Sequence, residues 1–265
     1  MPVTAPGGNI TYIEPQPIRI EDGIGAVDAN NIKALGKNYR QFIATKLDVI
    51  RRRVRATTEA LAAQSLTGKI QYPLLLENGQ YTLYEVDYTR GGANPTLSYS
   101  PAVMWNGTGA TVGKVLDDFI AIEEKFQEKG YGGNIRLWAG RSAFSALREL
   151  VMGSRAEKKI EARIADKNIN IAGYVVELMN ATYKNPQSGA MVKVVGDNDL
   201  LAWDESAPFT LFYLAIDHFK AGLNATPLFL YSYQPERGDS IRILAESKPL
   251  PVPVVKAVCR ATVVS

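Results

Sequence analysis

Residues 28–68 contain no proline and place an apolar side chain every three or four positions, at Ile32, Leu35, Tyr39, Ile43, Leu47, Ile50, Val54 and Leu61, with one longer gap before the last. That spacing draws one stripe along an α-helix. A helix of roughly 38 residues would be about 57 Å long at 1.5 Å per residue. Asp28 offers a side-chain oxygen to the free N–H groups of the first turn, and Gly68 can turn left-handed after the last. The opposite side carries Lys33, Lys37, Arg40, Lys46, Arg51, Arg52, Arg53 and Arg55. Across residues 28–69 nine basic side chains stand against three acidic ones, a balance of +6 in a chain whose total is +3. Basic charge is therefore concentrated on one element.

Helices in globular domains usually run three or four turns, so one this long implies a spine for the rest of the fold. A two-stranded coiled coil is the alternative. The spacing drifts from a strict seven-residue repeat, however, and the remaining two thirds of the chain read as ordinary mixed sequence. With 265 residues and 46% hydrophobic content, the chain can bury about 70–75% of the surface it would expose unfolded, enough for one or two compact domains. The first dozen residues have neither the basic nor the apolar region of a secretory signal. The longest strongly apolar run, 207–216, is too short to span a bilayer, so no membrane partner is expected. One cysteine, Cys259, excludes an internal disulfide and a multi-thiolate metal site. The single histidine, His218, is too few for a zinc or iron centre and reads as structural, so no metal or cofactor is expected.

Along the chain, residues 10–22 form an extended segment broken by Pro15 and Pro17, which suits an edge strand or a projecting arm rather than a sheet interior. Two β-rich runs, 70–76 and 81–88, flank Asn78-Gly79 and predict a hairpin with Tyr84, Val86 and Tyr88 on the dry face. Residues 91–111 read as loop. A second helix follows, capped by Thr111, with Val115, Leu116, Phe119, Ile122 and Phe126 inward and Gly130, Gly132 and Gly133 ending it. A strand at 135–139 precedes a helix capped by Ser142, and the charged segment 154–168 reads as a further short helix. Strands are expected near 174–179, 191–195, 200–203, 209–216, 228–233 and 241–246. A proline-spaced bend at 248–253 leads to a buried final strand, 254–264. Strands before, between and after unevenly placed helices predict an α+β fold.

Motifs for chemistry mostly fail their spacing. The run 107–114 opens a helix as a phosphate-binding loop would, but Thr108 stands where that loop needs glycine and Val115 where it needs Ser or Thr. A nucleotide-binding enzyme resting on Lys114 is thus the weakest alternative. No serine lies in a G-x-S-x-G setting beside a base. The carboxylate pairs Asp117/Asp118, Glu123/Glu124 and Glu157/Glu161 read as solvated helix faces. Only the cluster Arg51, Arg52, Arg53 and Arg55 implies a partner. Counterion release rewards such a face for meeting packaged DNA without sequence preference, and a solvated face, or one pairing with Glu123 and Glu124 of another copy, is the alternative.

The order of parts resembles the lambda-type, E-family major capsid protein of tailed bacteriophages, which has the HK97-like shell fold. The resemblance is carried by ITYIEPQPIRI, RATTEALAAQSLTGKIQY, TLYEVDYTR, MWNGTGATVGKVLDDFIAI, IRLWAGRSAFSAL and SKPLPVPVVKAVCRATVV. It implies an arm or loop remnant at 1–27, a peripheral domain with the spine helix at 28–130, an axial domain at 131–247, and a strand at 248–265 returning to the peripheral domain. It implies a non-enzymatic subunit of an icosahedral phage or prophage head, assembled in the bacterial host cytoplasm and part of the virion. Its partners would be copies of itself in pentamers and hexamers, a scaffold protein, a decoration protein and packaged DNA. Tyr12, Ile13, Ile18 and Ile20 would form an inter-subunit arm, although the family has a longer arm before Ile10 than this chain. An encapsulin-like nanocompartment shell shares the fold and is the nearer alternative.

Overall fold

The computed structural model describes residues 15–25, 27, 28, 30, 39–75, 78, 80–154, 162–185, 188–235 and 240–265. The long helix is seen as α1, Tyr39–Ser65. Residues 27, 28 and 30 are also helical, while Ile32, Lys33, Leu35 and Lys37 lie outside the described residues. Ile50, Val54 and Leu61 are buried and Ile43 and Leu47 half-buried, as the stripe requires. Asp28 is not the expected cap. It is itself helical, and its Oδ2 accepts the Gly25 N–H at 3.1 Å, while residues 29 and 31 of the turn it was expected to cap lie outside the described residues. Gly68 does turn left-handed, at φ 83°, and a Cβ there would stand 2.4 Å from the Thr89 methyl.

Among the described residues α1 and Leu66, the residue that follows it, touch three separate cores in succession. Its first half packs Phe42, Ile43, Leu47 and Ile50 on a three-stranded antiparallel sheet ordered Ile18–Gly25, Ser240–Ser247, Phe229–Tyr233. Leu61 then packs under the expected hairpin, Lys69–Leu75 with Tyr81–Asp87, whose dry face carries Ile70, Tyr72, Tyr84, Val86 and Tyr88. Just past its end, Leu66 meets Trp138, Leu201, Trp203 and Val258 on one face of a seven-stranded mixed sheet. That sheet runs Leu97–Tyr99, Val258–Thr262, Asp199–Asp204, Ile135–Ala139, Tyr174–Leu178, Asn168–Ile171, Ala162–Ala165.

The other face of the large sheet is covered by α2, Val112–Gln127, and α3, Arg141–Ser154. Strand alternation sorts the side chains, with Leu200 and Ala202 facing the helices and Leu201 and Trp203 facing the end of α1. Thr111 caps α2 as expected, its Oγ1 accepting the Lys114 N–H at 3.3 Å. Ser142 does not cap α3, which begins one residue earlier. Gly140 sits so close to the next turn that a Cβ would stand 1.8 Å from the Gly196 carbonyl oxygen, and the Ala143 N–H is taken by the Asp197 carbonyl.

Three further expectations are corrected. Residues 91–111 contain the short strand Leu97–Tyr99, parallel to Cys259–Ala261. The charged segment after α3 holds a β-hairpin, Ala162–Ala165 with Asn168–Ile171, where a helix was expected; residues 155–161 lie outside the described residues. Pro249–Val252 is a strand paired with Thr210–Tyr213 rather than a bend. Its other edge is taken by hydroxyls of the hairpin, Tyr72 to the Pro249 carbonyl at 2.8 Å and Tyr88 to the Pro251 carbonyl at 2.7 Å. A 3-10 turn, Val255–Ala257, then precedes the closing strand, which is buried as expected. The α+β class holds throughout.

Candidate assembly surfaces

At about 100° per residue, positions 50, 54 and 61 of a helix fall within about 40° of one another, while position 52 points directly away. Arg52 and Arg55 lie on that far side of α1, Arg51 and Arg53 stand about 80° to either side of the buried stripe, and all four are exposed. Arg51 Nη1 lies 3.4 Å from Asp48 Oδ1, an exposed pair of little energetic consequence. Lys46 departs from the expected basic face. Its ammonium donates to Asp22 Oδ1 at 3.0 Å and to the Gly23 carbonyl at 2.7 Å, pinning α1 to the strand Ile18–Gly25. Burial would raise the Asp22 pKa, but Lys46, the Gly23 N–H and the charge of Arg53 outweigh it and hold the carboxyl below its ordinary value.

Ile18 and Ile20 sit in that same strand, pairing with Ser247 and Ala245 of their own chain, and they pack half-buried on the cores under the hairpin and under α1. The strand pairs on one side only among the described residues and so offers its other edge. Tyr12 and Ile13 lie outside the described residues.

The remaining motifs become structural. The loop 107–114 turns through Gly109 at φ 84°, and the Lys114 ammonium is occupied by the Gly109 carbonyl at 2.8 Å. His218 Nδ1 accepts the Lys220 N–H at 3.1 Å and its ring lies 5.2 Å from those of Phe229 and Tyr231. Among the described residues no three His, Cys, Asp or Glu side chains are grouped to hold a metal, and no helix is long and apolar enough to cross a membrane.

The carboxylate pairs need correction. Asp117 is exposed, but Asp118 is buried, its Oδ1 accepting the Tyr99 hydroxyl at 2.6 Å and its Oδ2 the Trp105 indole N–H at 2.9 Å. Position 118 is three from Val115 and four from Ile122, so the helical spacing already put it beside the inner stripe. Glu123 is half-buried and accepts the hydroxyl of Tyr174, whose pKa is pushed up to about 12 by burial and by that carboxylate. Glu157 and Glu161 lie outside the described residues. Asp204 was not anticipated. It is fully buried and gathers the N–H groups of Gly132, Gly133, Asn134 and Ser206 together with the Ser206 hydroxyl. The three-glycine run 130–133 was the available signal, since such loops present unpaired N–H groups to an acceptor.

The same architecture occurs in solved shells. A crystal structure described as a capsid protein of an E. coli CFT073 prophage matches with a TM-score of 0.60 at 12% identity, over 95% of this chain and 78% of that one. The capsid of Ralstonia phage GP4 matches with a TM-score of 0.50 at 10% identity, over 95% and 74% of the two chains. The SrpI encapsulin of Synechococcus elongatus PCC 7942 covers 95% of this chain and 74% of its own at 11% identity, but its TM-score of 0.43 carries no weight. At such identities the likeness establishes the fold alone. The fold is thus that of the HK97-like class. The whole of residues 1–263 matches the phage major capsid protein E family, and the chain belongs to it. No curated protein matches. As a major capsid protein it has a structural role in the virion shell and associates with copies of itself.

Proposed function

We propose that this chain is the repeating unit of an icosahedral phage or prophage head that closes around double-stranded DNA, using the same patches in rings of five and six. The family match over residues 1–263 carries this reading. The HK97-like fold supports it, as does an α1 spine that ties three cores into one stiff unit able to bear load between neighbours. The exposed fan of Arg51, Arg52, Arg53 and Arg55 is the surface offered to DNA phosphates. Ile18 and Ile20 serve as the root of an inter-subunit arm, and Tyr12 and Ile13 as the part that reaches a neighbour. The seven-stranded sheet with α2 and α3 is taken as the axial body and the three-stranded sheet with the hairpin as the peripheral one. This division departs from the expected bounds 28–130, 131–247 and 248–265, because α2 and Val258–Thr262 pack with the seven-stranded sheet and Phe229–Tyr233 and Ser240–Ser247 with the three-stranded one. A scaffold protein and a decoration protein complete the set of partners.

Electron microscopy of the full-length protein expressed with its scaffold tests this. Closed shells that hold nuclease-protected DNA after packaging are expected. Soluble monomers under every condition would overturn the reading.

A further inference from the structure

Two buried side-chain donors find no acceptor, and they stand together. Among the described residues only Trp203 Nε1 and Arg260 Nε are buried side-chain atoms without a hydrogen-bond partner. On adjacent antiparallel strands Trp203 pairs with Val258 and Leu201 with Arg260. The two donors are therefore diagonal neighbours on one face of the seven-stranded sheet, the face that meets the end of α1.

Arg260 is the greater anomaly because it carries charge. Its guanidinium makes no hydrogen bond and no ion pair among the described residues. The carboxylates around it are engaged elsewhere. Asp199 Oδ1 accepts the Thr262 hydroxyl at 2.8 Å, Asp197 is held by Lys193, and Glu177 and Glu205 are held by Arg136. Tyr183, on the ribbon Thr182–Lys184 with Met191–Lys193, lies near enough to feel the charge. Burial pulls the Arg260 pKa down, and Asp199 and Tyr183 offset only part of that. The Nη atoms are unbonded too, yet they are not among the buried unpaired atoms, so the forked end of the side chain opens on the surface. Other buried charges in this chain are matched: Asp118 by Tyr99 and Trp105, Lys248 by Asp217. An unmatched one destabilises the chain that holds it. Arginine, tryptophan and tyrosine are also the side chains that most often anchor contacts between proteins.

We propose that Arg260 receives a carboxylate side chain from a second copy of this chain, which supplies the acceptor its own chain lacks. A carboxylate matches the planar fork with two parallel bonds. A flexible Asp or Glu side chain can reach a guanidinium sunk beside Tyr183, whereas the phosphates of a stiff duplex meet protruding groups such as Arg52. The contact deepens the shell reading above and rests on it.

Two measurements test it. Arg260→Met keeps the apolar stem and removes the fork. No bond within the chain is lost, so the urea midpoint of the unassembled subunit stays at the wild-type value or rises. Particle yield falls at least tenfold. A midpoint that falls together with the yield shows that the fork already serves its own chain, and overturns the contact. An unchanged yield overturns it as well, and if affinity for duplex DNA drops at the same time the acceptor is a phosphate.

The second measurement finds the carboxylate. Unlabelled Arg260→Lys chains are co-assembled with an excess of isotope-labelled wild-type chains and treated with a carbodiimide, which joins an amine to a carboxylate in contact with it. The expected product is a peptide pair that links unlabelled position 260 to a labelled Asp or Glu, found in particles and absent from the unassembled mixture. Cross-links from position 260 only within its own chain, or to a different polypeptide, overturn the contact and leave the shell reading standing. If the wild-type chain forms no particles at all, the shell reading fails and the contact fails with it.

Discussion

Asp118 and Trp105 meet inside the largest core, the indole N–H donating to Oδ2 at 2.9 Å while the Tyr99 hydroxyl occupies Oδ1 at 2.6 Å. A carboxylate is tolerated there because both oxygens are paired. The Trp105 backbone N–H also donates to the Val263 carbonyl, so this one contact ties α2, the loop before it and the end of the chain together. Asp118→Ala strands two donors in a dry site and should cost about 3 kcal/mol, read as a shift in the urea midpoint. A loss under about 1 kcal/mol would mean that water already reaches the pair.

Asp204 makes stability depend on acid. Burial works to raise its pKa, but the Ser206 hydroxyl and the N–H groups of Gly132, Ser206 and Asn134 prevail and hold it at about 2, below its ordinary 3.8. A carboxyl whose folded pKa is depressed stabilises fully above the unfolded value and loses that contribution as pH falls through the folded one. The contribution is thus present above about pH 4 and fades toward pH 2. Asp87, held at about 2 by the Thr89 hydroxyl and by the N–H groups of Gly91 and Thr89, titrates over the same window. Thermal unfolding of the wild type and of Asp204→Asn between pH 2 and 5 isolates the Asp204 share. The two curves should converge on acidification, and a constant gap would refute the assignment.

Two glycines should respond oppositely to alanine. Gly140→Ala forces a Cβ to within 1.8 Å of the Gly196 carbonyl oxygen, where only backbone can yield. A loss of about 3 kcal/mol or failure to fold is expected. Gly153, next to last in α3, has nothing within 4 Å of its Cβ position among the described residues. Gly153→Ala should therefore gain up to about 1 kcal/mol from helix propensity. Differential scanning calorimetry of the pair checks both signs, and equal effects would show the close approach is relieved in solution.

The arginine fan predicts a salt signature. Each phosphate contact contributes about 0.9 to the slope of log affinity against log salt for duplex DNA, so each Arg→Ala at 51, 52, 53 or 55 should flatten that slope by about that amount. Lys46→Ala should leave the slope unchanged and lower stability instead, because its ammonium is held by Asp22 and Gly23. Fluorescence anisotropy across a salt series separates the two. Slopes unaffected by the arginine changes would assign the fan to neighbouring subunits.

Features settled within a few residues were legible in the sequence. The steps Ile43, Leu47, Ile50 and Val54 set the buried stripe of α1, Asn78 marked the hairpin, and the Thr111 side chain reached the Lys114 N–H to start α2. The arginine fan was legible for the same reason, since opposite faces of a helix are fixed by its pitch. Long-range packing set the fate of polar and irregular segments. Periodicity could not tell that Asp118 would find donors at Tyr99 and Trp105, or that Lys46 would turn from solvent to Asp22. Pro249–Val252 looked like a bend because proline cannot donate to a sheet, yet its carbonyls accept from Tyr72 and Tyr88 more than 160 positions away. Partners so distant in the chain leave no mark on local spacing.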